Sequence, residues 1–433
     1  MRFGSHGDKD VSRFLCPMFS WRRIIMQKVK LFLCALLCVS MSLLVGCGGV
    51  ELMKAEHQLN REHYEEAISL YEEYLAEHPD SVRGQCKLGF AYLKTGRLDE
   101  AVSTFERVLA TKPGEPYATL YLGITYLSKN ELGKTIEVWQ QYRDTRNPLV
   151  EEEIRRQLTL VQIAESQRQA ARALTEERRL ATAQPHGNTI AVCYYDDCSS
   201  DQRFRAFQKG LAAMVITDLS KIESLDVVER LRLQALLAEM KLGQTGIVEE
   251  STAPRVGRLL GAENLVIGNL MPGSIQAATT LASATTNGIK GTAAAAVTEE
   301  DFYTLPAMIA RQVAEILGIA LSPGEEEALH IPHTTQYEAF ICFGKALDAM
   351  DAGRWEEAKN LFDRAVEIDP DFDLAREGSD SCPGAGSPTP GQLGSMASAD
   401  LAGVAESAVG KAEAAQADAA AASGADGGGG GGY

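Results

Sequence analysis

Gly89 and Gly123 stand 34 residues apart inside the same local pattern, and this period restricts the fold more than any other feature of the chain. From Val82 to Glu115, Leu88 and Gly89 are followed by Tyr92, Gly96, Ala101, Phe105 and Pro113. One period earlier come Ala67, Tyr71 and Pro79; one period later come Leu122, Gly123, Tyr126 and Trp139. A fixed period of this length marks stacked two-helix units, none of which can bury its apolar face without a neighbour. The small Gly89, Gly123 and Ala101 allow helices to approach closely, while the aromatic residues fill the space against the next unit. These are packing residues rather than catalytic candidates. The third unit departs from the pattern at Thr135, where Ala is expected, and ends at Asn147-Pro148.

The offsets resemble the tetratricopeptide repeat (TPR), so residues 48–149 read as three TPR units. On the inner face of each first helix lie Arg83, Phe90 and Lys94 in the second unit, and Tyr117, Leu120 and Ile124 in the third. A groove mixing aromatic, aliphatic and basic groups suits an extended peptide or a partner helix, and these six residues are the candidate partner-binding set. The same face could equally pack against a helix of the chain itself. From Val150 to Leu180, Ile154, Leu158 and Val161 recur at helical spacing among charges, which predicts a capping or linker helix over 150–186. Pro185-His186-Gly187 ends it.

Repeat offsets return from Glu338 to Leu374, with Gly353, Ala358, Phe362, Ala365 and Pro370. A lone unit at 324–376 must dock on the central domain, on the first array or on another molecule. Beyond Arg376 the chain is rich in Ser, Gly, Ala and Pro, and residues 377–433 read as a low-complexity, disordered tail acting as a flexible tether.

The chain begins with a basic run (Arg22, Arg23, Lys28, Lys30) ahead of an apolar core from Leu31 to Val45, the order of a secretory signal. That core is short of the roughly 20 apolar residues of a spanning helix. Leu44-Val45-Gly46-Cys47 resembles the lipobox of bacterial lipoproteins, which implies diacylglycerol on the Cys47 thiol and a new N-terminus there. The alternative is an uncleaved membrane anchor with an incidental cysteine. Met26 opens a compact signal of its own, so the first 25 residues read as an over-extended start and 1–46 as the removed segment. Without Met1 to Gly46 the chain keeps 35 Lys and Arg against 57 Asp and Glu, a net charge of −22. Such a surface repels phosphate backbones and anionic head groups, which excludes nucleic acid as a partner and leaves anchoring to the lipid. Gly48 lacks the Asp of inner-membrane retention, so the expected location is the outer membrane, lipid-anchored, on the periplasmic face.

Residues 187–323 alternate strand and helix. Thr189 to Tyr195 is a continuous apolar, β-branched run that predicts a strand buried on both faces. Helices are expected over Phe204–Ser220, Leu231–Met240, Ala253–Leu260 and Ala307–Leu317, with strands at Leu225–Val228 and Asn264–Asn269 and a hairpin around Asn287-Gly288. Ile190-Ala191-Val192, Gly210-Leu211-Ala212, Asp226 to Arg230, Gly243-Gln244 and Gly257 to Gly268 resemble the CsgG/HfaB group and the related TolB N-terminal-like domains, over roughly Asn188 to Leu317. The resemblance implies an envelope protein, since curli-type members form secretion pores and others act as scaffolds. The Ala- and Thr-rich hairpin has few large side chains to meet lipid, which argues for the soluble domain without a barrel.

The expected fold is therefore multidomain, α and α/β: a TPR array, a central sheet with packed helices, a further TPR unit and a tail. Of the cysteines, Cys86, Cys193, Cys198, Cys342 and Cys382 follow the lipidation point, without metal spacing. Cys193 and Cys198 are close enough for a disulfide; buried thiols are the other reading. Gly133-Lys134-Thr135 lacks the upstream Gly of a phosphate loop, because Ser128 stands there. His330 and His333 flank Pro332, which disfavours shared metal ligation, and Asp196-Asp197 fits a solvated loop better than a cation site. No catalytic residue, metal or cofactor is assigned. The expected role is a protein-interaction scaffold for assembly or secretion of an envelope structure, with envelope proteins as partners and self-association possible. The alternatives are a regulator of a cell-wall enzyme and a subunit of an export channel.

Overall fold

The computed structural model describes residues 49–142, 147–180, 185–200, 204–240, 248–271 and 275–425. The expected signal segment, the Met26 start, Cys47, Gly48 and Gly243-Gln244 lie outside the described residues. Two compact units divide between Thr111 and Lys112.

Among the described residues the first unit holds four helices: α1 (residues 49–60), α2 (Tyr64–Glu77), α3 (Val82–Lys94) and α4 (Leu98–Thr111). α3 packs against α2 and α4. The repeat pattern supplies the reason: a Cβ on Gly89 would stand 2.7 Å from the Phe105 ring, so only glycine permits the α3–α4 approach. Ser81 caps α3, its hydroxyl accepting from the Gly84 amide at 3.2 Å.

The second unit opens with α5 (Pro116–Ser128) and α6 (Leu132–Gln140), the third repeat. Gly123 has no room for a Cβ beneath the Trp139 indole, whose Nε1 donates to the Thr119 carbonyl at 3.2 Å. Thr135, the departure from the repeat pattern, is fully buried and its hydroxyl donates to the Gly123 carbonyl at 3.1 Å. The substituted hydroxyl therefore gains a partner inside the helix pair.

α7 (Pro148–Thr175) spans 28 residues, about 42 Å of helix. It does more than cap the repeats. Its first part packs against α6, and Ala170 joins the core of the sheet domain, with Ala173 and Leu174 beside it. The short α8 (Glu177–Leu180) follows.

The sheet has the order β2-β1-β3-β4-β5, with β1 (His186–Asp197) parallel to β2 (Asp226–Val227) and β3 (Ala262–Met271). β4 (Ile275–Ser283) and β5 (Ile289–Val297) continue it as the expected antiparallel hairpin, with Asn287 at φ +54° in the turn. Ala191 and Cys193 on β1 and Leu265 and Ile267 on β3 share one core with α10 (Arg230–Glu239) and α11 (Ala253–Leu260). Their strand neighbours Ile190, Val192 and Val266 are equally buried, with α9 (Arg205–Leu219) packed on β1. Two covered faces explain the unbroken apolar run. Past the single 3-10 turn at Phe302–Thr304, α12 (Leu305–Leu317) packs on β5 and α9, so helix covers the Ala-rich hairpin.

α13 (Pro323–His330) lies ahead of the C-terminal repeat helices, started by a capping box between Ser322 and Glu325. The C-terminal repeat comprises α14 (Tyr337–Asp351) and α15 (Trp355–Ile368), followed by α16 (Asp373–Ser381). Helix continues past Arg376, where the sequence reads as the start of the tail. α16 runs through Ser381, α17 (Pro390–Leu393) buries Leu393, and α18 (Ser398–Ala425) buries Leu401, Ala402, Ala405 and Val409. Composition misleads here because a helix with a seam of small residues needs few large side chains when a groove is already built for it. No helix among the described residues is long and apolar enough to cross a membrane.

Candidate protein-interaction site

The six candidate partner-binding residues fall in different surroundings. In the first unit Arg83 is 69% exposed and pairs with Glu56 of α1 at 2.7 Å. Lys94 is exposed, its ammonium 5.9 Å from the ring centres of both Phe90 and Tyr64. These three residues form an open basic and aromatic patch, a surface that can meet acidic or aromatic groups of a partner.

In the second unit the same repeat positions are covered. Leu120 and Ile124 are each 1% exposed, and Tyr117 is half-buried. α6 takes the Thr119 and Gly123 side of α5, and α18 packs on α5 and α7, the first helix of the third pair and the helix that follows it. α18 therefore packs on the helix that carries Tyr117, Leu120 and Ile124. A polar clamp fixes its start. Arg168 of α7 donates to the Asn130 side-chain oxygen at 2.7 Å, to the Ser398 hydroxyl at 3.1 Å and to the Met396 carbonyl at 3.3 Å, and Ser398 also bonds Asn130. Asn130 sits at φ +64° in the turn after α5, a left-handed conformation that asparagine tolerates. Sequence reasoning missed α18, which offers one buried Leu and one buried Val.

The C-terminal repeat docks on the sheet domain, one of the three expected destinations. α14 crosses α9 so closely that Gly344 faces the Ala206 carbonyl with no space for a Cβ. Phe340 meets Phe207 edge-on with centroids 4.4 Å apart and also packs on Phe302. Around this apolar seam runs a buried charge cluster. Asp351 accepts from Arg230 at 2.7 and 3.0 Å and from Lys209 at 2.9 Å, while Lys209 also reaches Asp348 at 2.6 Å. Burial alone would raise the Asp351 carboxyl, but the Arg230 and Lys209 charges outweigh it and hold it below the usual carboxylate range. Arg230 also donates to the Tyr194 hydroxyl at 3.2 Å, and that hydroxyl donates to Gln234 at 3.0 Å. Every member has a partner, so the cluster is a joint between domains rather than an open reactive site.

The remaining sequence candidates have structural partners. Asp197 accepts from the Ser199 and Phe204 amides at 2.9 and 2.8 Å, and so shapes the loop that starts α9. His330 contacts Arg311, whereas His333 meets the buried Asp218 at 2.9 Å, so the two imidazoles serve separate contacts. Lys134 pairs with Glu131 and lies 5.1 Å from the Tyr126 ring centre. Cys193 and Cys198 are both free thiols, the first buried in β1 and the second exposed after it.

Comparison with known proteins agrees with this architecture. Residues 162–290 match the family described as curli production assembly/transport component CsgG, and residues 59–130 and 339–372 match two tetratricopeptide repeat families. The CsgG match begins inside α7, the helix that the structure shares between repeat and sheet. A tetratricopeptide repeat protein from Parabacteroides merdae ATCC 43184 aligns at 9% identity and TM-score 0.25, over 77% of this chain and 98% of its own. Yeast Tom70 aligns at 14% identity and TM-score 0.24, over 76% of this chain, which spans 63% of the Tom70 chain. No curated protein sequence matches.

Proposed function

We propose that this chain, which joins a CsgG-family domain to TPR units, is an outer-membrane lipoprotein on the periplasmic face that scaffolds the assembly or secretion of an envelope structure. In this reading Cys47 carries the lipid, the repeats recruit protein partners, and the sheet domain associates with itself or with an envelope machine. The observation that carries it is α7. One continuous helix packs on the third repeat, enters the core of the sheet domain and meets α16, the helix after the C-terminal repeat, where Arg155 pairs with Asp380 at 2.7 Å. A partner held by the third repeat is thereby fixed relative to the CsgG-like domain without a flexible linker.

The reading assigns the chain no catalytic step, because the residues that could have carried one are tied into capping, packing or ion pairs. The net charge of −22 beyond Gly46 supports a lipid rather than a basic patch as the anchor. Crosslinking in intact envelopes followed by purification tests the role. Secretion or surface-assembly components should be recovered, whereas recovery of peptidoglycan synthases instead would replace the scaffold by a cell-wall regulator. Cys47→Ala should release the protein from membranes; continued sedimentation with the outer membrane would remove the lipid from the account.

A further inference from the structure

The groove between α5 and α7 is built like a receptor that already holds its ligand. The repeat pattern assigns Leu120 and Ile124 of α5 to partner binding, and both are buried in a helix on which α18 packs. Over residues 398–411, the part of α18 whose side chains are described, the buried surface is slight. Leu401, Ala402, Ala405 and Val409 form a single narrow seam at helical spacing, and a cleft of about 900 Å³ stays open beside it, bounded by Arg156 and Leu160 of α7 and by Gly403 and Lys411 of α18. The helix is held chiefly at its first turn, where Arg168 and Asn130 grip Ser398.

We infer that this groove recognises a partner helix with a narrow seam of small and aliphatic residues, and that α18 closes it in cis until such a helix displaces it. The inference rests on the inner face of the repeats being the recruiting surface. Tethering explains how so slight a helix keeps its place. Four residues separate α17 from α18, and a short tether gives a local concentration on the order of millimolar. A free partner at micromolar concentration must therefore bind more tightly than α18 or meet a chain whose clamp has been loosened. A wider apolar seam on α5, with polar groups to meet Glu152, Arg156 and Gln157 in the cleft along α7, is the chemistry by which it would do so.

The test uses the full chain and a fluorescent peptide of residues 398–425 read by anisotropy. Wild-type protein should bind it weakly because its own α18 competes. Ala402→Glu with Ala405→Glu places two carboxylates in the seam and should tighten peptide binding at least tenfold. Ser398→Ala in the chain, with the peptide left as wild type, loosens only the clamp on the chain's own α18 and should tighten peptide binding by a smaller factor. A peptide carrying the same two Glu substitutions should bind none of the proteins. Equal peptide affinity for wild type and Ser398→Ala, or no binding to either variant, would overturn the inference. Neither outcome involves envelope partners, so the scaffold reading stands or falls separately in its own crosslinking experiment.

Discussion

Arg230, the first residue of α10, and Asp351, the last residue of α14, meet at 2.7 Å although 121 positions separate them in the chain. The pair is buried at both ends, with 12% and 5% of the side-chain surfaces exposed. It joins the CsgG-like domain to the C-terminal repeat, and with Lys209 it determines the position at which α14 crosses α9. A repeat unit that cannot bury its own face thus uses the sheet domain as its missing neighbour.

Asp351→Asn keeps the volume and removes the charge, leaving Arg230 and Lys209 buried beside a neutral amide. Breaking a buried pair from one side costs about 3–5 kcal/mol, so the urea midpoint of the second unit should fall accordingly. Arg230→Met combined with Asp351→Leu should recover much of the loss, because an apolar pair carries no desolvation penalty. A single mutant with unchanged stability would show that the cluster does not hold the joint.

The same carboxylate sets an acid limit. Its pKa is held lower in the folded chain than in the unfolded one, so it releases its proton more readily when folded. Its contribution is complete above the unfolded value of about 3.9 and disappears as pH falls through the lower folded value. Stability of wild type should therefore drop below about pH 4, while Asp351→Asn should show a shallower acid slope there. Parallel slopes would remove Asp351 from the acid transition.

The repeats and the sheet were legible in the sequence because their signals are local. Gly89 announces Phe105 and Gly123 announces Trp139 through a fixed offset, and the run Thr189 to Tyr195 states that its strand is covered on both sides. The dock of α14 on α9 was not legible, since Lys209, Arg230 and Asp351 are ordinary charged residues on three helices and only the fold makes them neighbours. α18 was hidden for the opposite reason. Its buried seam of Leu401, Ala402, Ala405 and Val409 is half alanine, and the apolar surface on which it packs belongs to α5 and α7. The six inner-face residues were named by repeat position, but position could not tell that Arg83 would face solvent while Leu120 would be covered.

The cysteines give a direct check on the β1 environment. Cys193 is fully buried and its thiol is pushed up to about 12 by loss of solvation, whereas Cys198 is exposed in the loop that follows. Burial, then Asp196 and Asp197, also raise the Cys198 thiol, so it should react more slowly than a free cysteine at neutral pH. Alkylation of the native chain, mapped by mass spectrometry, should modify Cys198 with a rate that climbs as pH rises, and leave Cys193 and Cys382 unmodified until denaturant is added. A Cys193–Cys198 disulfide recovered from protein purified without reductant would contradict this arrangement.

Two glycines of the third repeat make opposite predictions from the same substitution. Gly123→Ala drives a methyl group into the Trp139 indole, and the helix cannot yield because Trp139 Nε1 and the Thr135 hydroxyl both bond the α5 backbone around it. Overpacking of this kind costs about 1–3 kcal/mol. Gly133→Ala, in the first turn of α6, meets no atom within 4 Å and replaces the residue with the largest conformational entropy. It should be neutral or stabilise the chain by about 0.4–1 kcal/mol. Urea denaturation of the two single mutants separates these outcomes, and a destabilising Gly133→Ala would mean that Gly133-Lys134-Thr135 needs its glycine for something other than the repeat.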